Sequence, residues 1–261
     1  MRRGGGCVNH PAMTTSRTPY DAATAILQNP VLPTGTDERF VGFGVMGLPF
    51  ASGHYLALRH FPAATFAPAY KSVWHRGPDG IWTFYATTPG AQSCARYFSS
   101  ATPHDAVQCD IEVEWVSPWT LFVGITGLLE WQIDIRSTLS TRLMTIIGGR
   151  LPTGAWTNRV ALAALGRAAG ATLGAGQLRL AGTAPNGQRF MIAPRQVWAV
   201  SKSRAVLGGV DLGPVGPLPS QARLASFRPP QRGLFVVGSG HFETFDASRH
   251  HAVQRTVNWA Q

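Results

Sequence analysis

Lysine is nearly missing from this sequence: Lys71 and Lys202 are the only two among 23 basic residues, and the rest are arginines. The arginines stand singly, without a run or a helical stripe, apart from Arg2-Arg3 near the N-terminus. Nucleic-acid-binding segments concentrate their cations, so nucleic acid is not the expected partner. The formal charge of +10 instead favours anionic small molecules or membrane surfaces. Cysteine is scarce as well. Cys7, Cys94 and Cys109 form an odd set with no C-x-x-C pair, which argues against a disulfide framework or a zinc cluster and for reduced, buried thiols. No stretch is apolar for long enough to cross a bilayer as a helix. The opening MRRGGGCVNHPAM has basic residues but no apolar centre. It does not read as a secretory signal, and either Met1 or Met13 serves as the start. A cytoplasmic location is expected.

Several catalytic signatures are also missing. There is no G-x-S-x-G, no H-E-x-x-H, no H-x-H and no phosphate-binding P-loop, and neither a metal nor a cofactor is expected. Gly42, Gly44 and Gly47 match G-x-G-x-x-G, but Pro49 and a strand-like run follow where the dinucleotide fingerprint needs a helix. These glycines read as a bent strand with room for close packing over an aromatic ring.

What the chain does have is a dense aromatic meander. Residues 70–76 and 81–87 flank the turn Pro78-Asp79-Gly80, and further strands are predicted at 54–61, 93–98, 107–115, 119–125 and 129–136. Residues 107–115 and 129–136 alternate polar and apolar side chains with period two, the mark of a strand with one solvated face. Short spacing between strands favours an antiparallel sheet over a parallel α/β fold. Residues 137–147 and the Ala-rich stretch 156–173 then take helical spacing, and strands resume at 177–182, 189–192, 197–203, 204–210 and 234–242. The fold expected is mostly β, α+β by content: an antiparallel barrel-like or strongly curved sheet with a helical insertion at about 137–175 that serves as a lid or plug. Its parts are a disordered tail (1–18), a first β region (19–136), the insertion, a second β region packed with the first (176–245) and a C-terminal tail (246–261).

Candidate chemistry falls on the meander. His54 and His75 are the first choices for an acid or base beside a carboxylate, and Glu112 and Glu130 supply carboxylates from two strands separated by one other. The competing reading of these carboxylates is a solvent face, since burying several without partners is costly. Trp74, Trp82, Tyr85 and Trp131 are candidate cavity-lining rings, with Arg59, Arg76 or Arg96 to orient a polar end of a ligand. Cys94 beside Arg96 reads either as an activated thiol or as an inert buried one. One constraint is firm: neighbouring strand residues point to opposite faces, so Trp74 and His75 cannot line one cavity unless a bulge intervenes.

The Trp- and Tyr-rich meander and its W-x-R-x-P-D-G-x-W hairpin (Trp74, Arg76, Asp79, Trp82), followed by a second β region, resemble the lipocalin-like family of carotenoid 1,2-hydratases and isoprenoid or polyketide cyclases, mainly over residues 39–136. That resemblance implies an apolar cavity and acid–base chemistry on a C=C bond, of lyase or isomerase type. The expected function is binding of a hydrophobic small molecule in a β-barrel cavity, with hydratase, cyclase or isomerase activity. Two alternatives stand beside it: a non-catalytic lipid or isoprenoid carrier, and an interaction protein whose basic surface meets an anionic partner.

Overall fold

The computed structural model describes residues 18–102, 106–252 and 256–258; the readings on Arg2, Arg3, Cys7 and Met13 lie outside them. Helix α1 (Pro19–Gln28) opens the fold. Thr18 and Asp21 cap it reciprocally, and Pro19 sits in its first turn, where a missing N–H costs nothing. The meander follows as β1 (Glu38–Val45), β2 (Leu48–Pro49), β3 (Tyr55–Ala64), β4 (Tyr70–Arg76) and β5 (Trp82–Ala86).

The strand expected at 93–98 is not formed. The chain makes a 3₁₀ turn (Gly90–Gln92) and a one-turn helix, α2 (Ala95–Phe98). Ser93 Oγ accepts the Ala95 N–H at 3.2 Å, a local bond that offers the backbone an alternative to a ladder, and Tyr97 and Phe98 are buried by the turn. The strand expected at 107–115 is split into β6 (Ala106–Gln108) and β7 (Glu112–Ser117). Then come β8 (Thr120–Ile125), β9 (Leu129–Arg136), the helices α3 (Leu139–Arg150) and α4 (Arg159–Leu173), β10 (Ala181–Thr183), β11 (Arg189–Leu207), β12 (Val210–Asp211), β13 (Leu234–Phe242) and β14 (Thr256–Asn258).

One mixed, 14-stranded sheet holds all of these strands, in the order β14-β6-β5-β4-β3-β1-β13-β11-β9-β8-β7, with β2, β10 and β12 attached at the side. Most pairs are antiparallel; β5–β6 and β6–β14 are parallel. Among the described residues the sheet does not close, but it curls strongly. Only residues 109–111 separate β6 from β7, although these strands lie near opposite ends of the sheet order. Trp115 of β7 meets Phe235 of β13 edge-on at 5.6 Å across the concave side.

Three strands were expected between 189 and 210, whereas β11 runs unbroken for 19 residues. Register shifts at Pro194/Gln196 and Val200/Lys202 do the work that chain breaks were expected to do. Pro194 has no N–H for the ladder and sits at the first bulge, where that is tolerated. Each bulge also resets the alternation: Phe190 and Ile192 share a face with Val197, while Trp198 and Val200 take the other.

The two sheet faces have different contents. The concave face is solid: Phe43, Leu58, Val73, Trp131, Trp198 and Phe235 belong to one cluster closed by α1. The convex face carries the aromatic cluster of Tyr55, Phe61, Tyr70, Trp74, Phe84 and Tyr97, and α3 and α4 lie over its neighbouring strands.

Candidate functional site

A cavity of about 170 Å³ lies on the convex face, between the sheet and the helices α3 and α4. It was expected inside the barrel-like sheet, but that interior is filled by the Phe, Trp, Leu and Val side chains of the concave core, at the dense packing usual for protein interiors. Phe61, Tyr70, Trp74, Phe190 and Phe242 form the sheet-side wall, and Met144, Ile147, Leu165, Ala169 and Leu173 form the roof.

The roof is positioned by caps and close approaches. Thr138 caps α3 reciprocally with Thr141. Asn158 Oδ1 accepts the Val160 and Ala161 N–H groups at the start of α4, and Gly174 ends it in the left-handed region. Gly148 of α3 faces the Pro194 and Arg195 carbonyls of β11; a Cβ there would stand 2.8 Å from each. Below the helices, the guanidinium of Arg195 lies 4.7 Å over the ring of Trp156.

The wall is largely apolar, and Arg59 brings a buried charge into it. On β3 the side chains of Tyr55, Ala57, Arg59 and Phe61 share the convex face, and Arg59 is only 6% exposed. Its Nη1 donates to Val45 O (2.8 Å) and Leu58 O (2.8 Å), and its Nη2 to Met46 O (3.3 Å). A guanidinium has five N–H donors; Nε and the second Nη2 hydrogen remain. No carboxylate pairs with it among the described residues. Burial pushes Arg59 below its usual range, opposed by Cys94, Tyr55 and Tyr70.

Other polar groups gather around this cation. Trp74 lies under it at 4.7 Å. Ser72 stands opposite Arg59 in the β3–β4 register. Ser72 Oγ and Trp74 Nε1 are both buried and without a hydrogen-bond partner, a costly state. The Tyr70 hydroxyl and Cys94 Sγ share a hydrogen bond of 3.3 Å. Burial raises Tyr70 well above the usual phenol range, and it pushes the Cys94 thiol up to about 11 against the opposing effects of Tyr70 and Arg59. Cys94 is therefore a protonated, buried thiol rather than the activated nucleophile that its nearness to Arg96 allowed. At the rim stand Arg179, exposed, and Arg228, half-buried.

The residues singled out from the sequence separate accordingly. Trp74 lines the cavity. Trp82 is buried in the same aromatic cluster, and its Nε1 donates to Arg223 O at 3.2 Å. Arg76 donates to the Gly53 and Gly77 carbonyls. Arg96 is bound to Glu38 at 2.8 Å, and Glu38 also accepts from the Tyr97 hydroxyl at 2.6 Å. Tyr85 and Trp131 pack in the concave core, and Trp131 Nε1 donates to Ser203 Oγ at 2.8 Å.

His75 points away from the cavity, as alternation with Trp74 requires. It meets His54 there, Nδ1 of His54 standing 2.9 Å from Nε2 of His75. Burial first, then His54, lowers His75 to about 4, with Asp79 opposing. Burial also lowers His54, against Asp79. Glu112 and Glu130 flank Gly124 in the register of β7, β8 and β9 and are exposed. They form the solvent face, not a cavity wall.

Fold and site together define a curved-sheet β protein with a helix-roofed apolar cavity and a buried arginine that has no carboxylate partner among the described residues. No family profile and no curated protein matches the chain. Among solved structures, the chain is similar to an acetoacetate decarboxylase from Legionella pneumophila at 10% identity and a TM-score of 0.38, over 82% of this chain and 87% of that one. None of these findings supports membership of the hydratase and cyclase family.

Proposed function

We propose that the protein binds a small hydrophobic molecule bearing an anionic head, a carboxylate, with the apolar body in the cavity and the head on Arg59. One observation carries this reading: a buried guanidinium with N–H donors to spare, and no counter-ion among the described residues, faces an apolar cavity. An isolated buried charge costs several kcal/mol, and a ligand carboxylate offsets that cost through bidentate contact. Trp74 Nε1 is a further donor in the same wall. The volume of about 170 Å³ is in the class of an apolar cavity of about 150 Å³ that admits benzene, so the body is a single ring or a short branched chain.

The cavity lining contains no histidine, aspartate or glutamate among the described residues. This favours binding without turnover over hydration, cyclisation or isomerisation by a His–carboxylate pair. The catalytic alternative rests on Tyr70, a protonated phenol beside Arg59, as the acid.

Native mass spectrometry of protein purified without denaturation is expected to show a retained organic acid. Titration with cinnamate and with neutral cinnamamide, followed by tryptophan fluorescence, tests the head group. The acid is expected to bind at least 30-fold more tightly, roughly 2 kcal/mol or more for a buried charged contact. Arg59→Met is expected to abolish the preference. Equal binding of acid and amide by the unaltered protein would overturn the assignment.

A further inference from the structure

We infer that the α3–α4 roof docks on the surface of an anionic lipid bilayer, which sets the cavity against a source of hydrophobic ligand. Three features of the roof point the same way. The first is an outward apolar stripe. Leu139, Leu143 and Ile146 of α3 are 85%, 48% and 47% exposed. At 100° per residue they fall within about 60° of one another, opposite the buried Thr141, Met144 and Gly148. Val160 at the start of α4 is 79% exposed. A helix whose inner face is already packed has no structural need for a second apolar face.

The second feature is charge. Between Asp134 and Asp211 the sequence holds ten arginines and lysines and no acidic residue. The other 13 basic residues match the 13 acidic ones, so the whole formal charge of +10 belongs to the segment that contains the roof. Arg142, Arg150, Arg159 and Arg167 lie on the two helices and are exposed. Apolar side chains that enter the acyl boundary, bordered by cations that meet phosphate head groups, are the composition of an interfacial helix. The same cations set a second copy of this chain at a disadvantage as the occupant, because two such faces repel.

The third feature is position. Met144, on the inner side of α3, and Ile147, on its flank, line the cavity whose roof the stripe covers from outside. Docking is independent of what Arg59 holds; only the delivery of ligand rests on the binding reading above.

Co-sedimentation of the full chain with vesicles of phosphatidylcholine, or of phosphatidylcholine and phosphatidylglycerol in equal parts, tests this. The protein is expected to sediment with the anionic vesicles, less so at high salt. Leu143→Gln/Ile146→Gln, with unchanged thermal unfolding, is expected to lose at least tenfold in vesicle affinity while it keeps its cinnamate affinity. Arg59→Met is expected to do the reverse. No sedimentation with anionic vesicles would overturn the inference. So would undiminished binding by the double glutamine variant, which would reduce the effect to attraction for any polyanion, or a dimer that this variant disperses in sedimentation velocity.

Discussion

On β3 the alternation Tyr55, Ala57, Arg59, Phe61 puts one cation into an otherwise apolar face. That signal is present in the sequence. Period two alone separates Arg59 from Leu56, Leu58 and His60, and an arginine within an apolar face calls for a partner. Its companions are less legible, because Tyr70 reaches Cys94 only after the chain has turned through the 3₁₀ turn Gly90–Gln92, and no local pattern places that turn. The histidines show the same division. The strand rule states that Trp74 and His75 diverge, but it does not state that His75 will find His54. His60, beside Phe43, has an unpartnered buried Nδ1, and burial first, then Lys71, lowers it to about 4. For His60 and His75 the folded value lies below the unfolded value of about 6.5. The stability they contribute is therefore complete above pH 6.5 and falls as the pH drops from 6.5 toward 4. At pH 5 the loss is up to about 2 kcal/mol for each. Glu243, held down to about 2 chiefly by its hydrogen bond from Arg189, enters only below about pH 4.5, so the two effects separate. Urea midpoints at pH 7.5 and pH 5 measure the histidine effect. His60→Phe is expected to shrink the difference, the remainder belonging to His75 and His54, and an unchanged difference would remove His60 from the account.

At the scale of elements, glycines and bulges carry information that hydrophobic patterning does not. The reading of Gly42, Gly44 and Gly47 as a bent, closely packed strand rather than a dinucleotide loop agrees with the structure. A Cβ on Gly42 or Gly44 would collide with the backbone carbonyl of His60 or Leu58, and one on Gly47 with the ring of Tyr55. The strand predicted at 93–98 and the breaks predicted within 189–210 fail for a shared reason: hydrophobic pattern reports which residues are buried, not whether a serine side chain or a bulge has redirected the backbone. Gly44→Ala pushes β1 away from β3 beside Arg59 and is expected to cost about 1–3 kcal/mol. Gly149, exposed in α3 with no atom near its Cβ position, is the opposite case. Gly149→Ala is expected to stabilise by about 0.5–1 kcal/mol, the helix propensity difference. Denaturant midpoints of the two variants should move in opposite directions; a shift of the same sign would mean that space at the Cβ is not what decides.

For the molecule as a whole, sheet order matters more than chain order. The strands before the helices do not form a sheet of their own. β13 pairs with β1, β11 pairs with both β13 and β9, and these two late strands stand between β1 and β9. Without them the early strands fall into two separate ribbons, β6-β5-β4-β3-β1 and β9-β8-β7, and Phe235 and Trp198 leave the concave core that both ribbons share. This neighbour relation is invisible to period and composition, which describe each strand alone. It leads to a specific expectation. A fragment of residues 19–136 exposes three new sheet edges, on β1, β9 and β6, and half a core, and should show neither a cooperative transition nor native tryptophan fluorescence. The full chain, despite its helical insertion, should unfold in one step. Far-ultraviolet circular dichroism, which reports the ladders, and tryptophan fluorescence, which reports Trp131 and Trp198 in one core and Trp74 and Trp82 in the other, should then give one midpoint. Two midpoints, or a folded fragment, would divide the sheet at β1–β13 into independent units and refute the shared core.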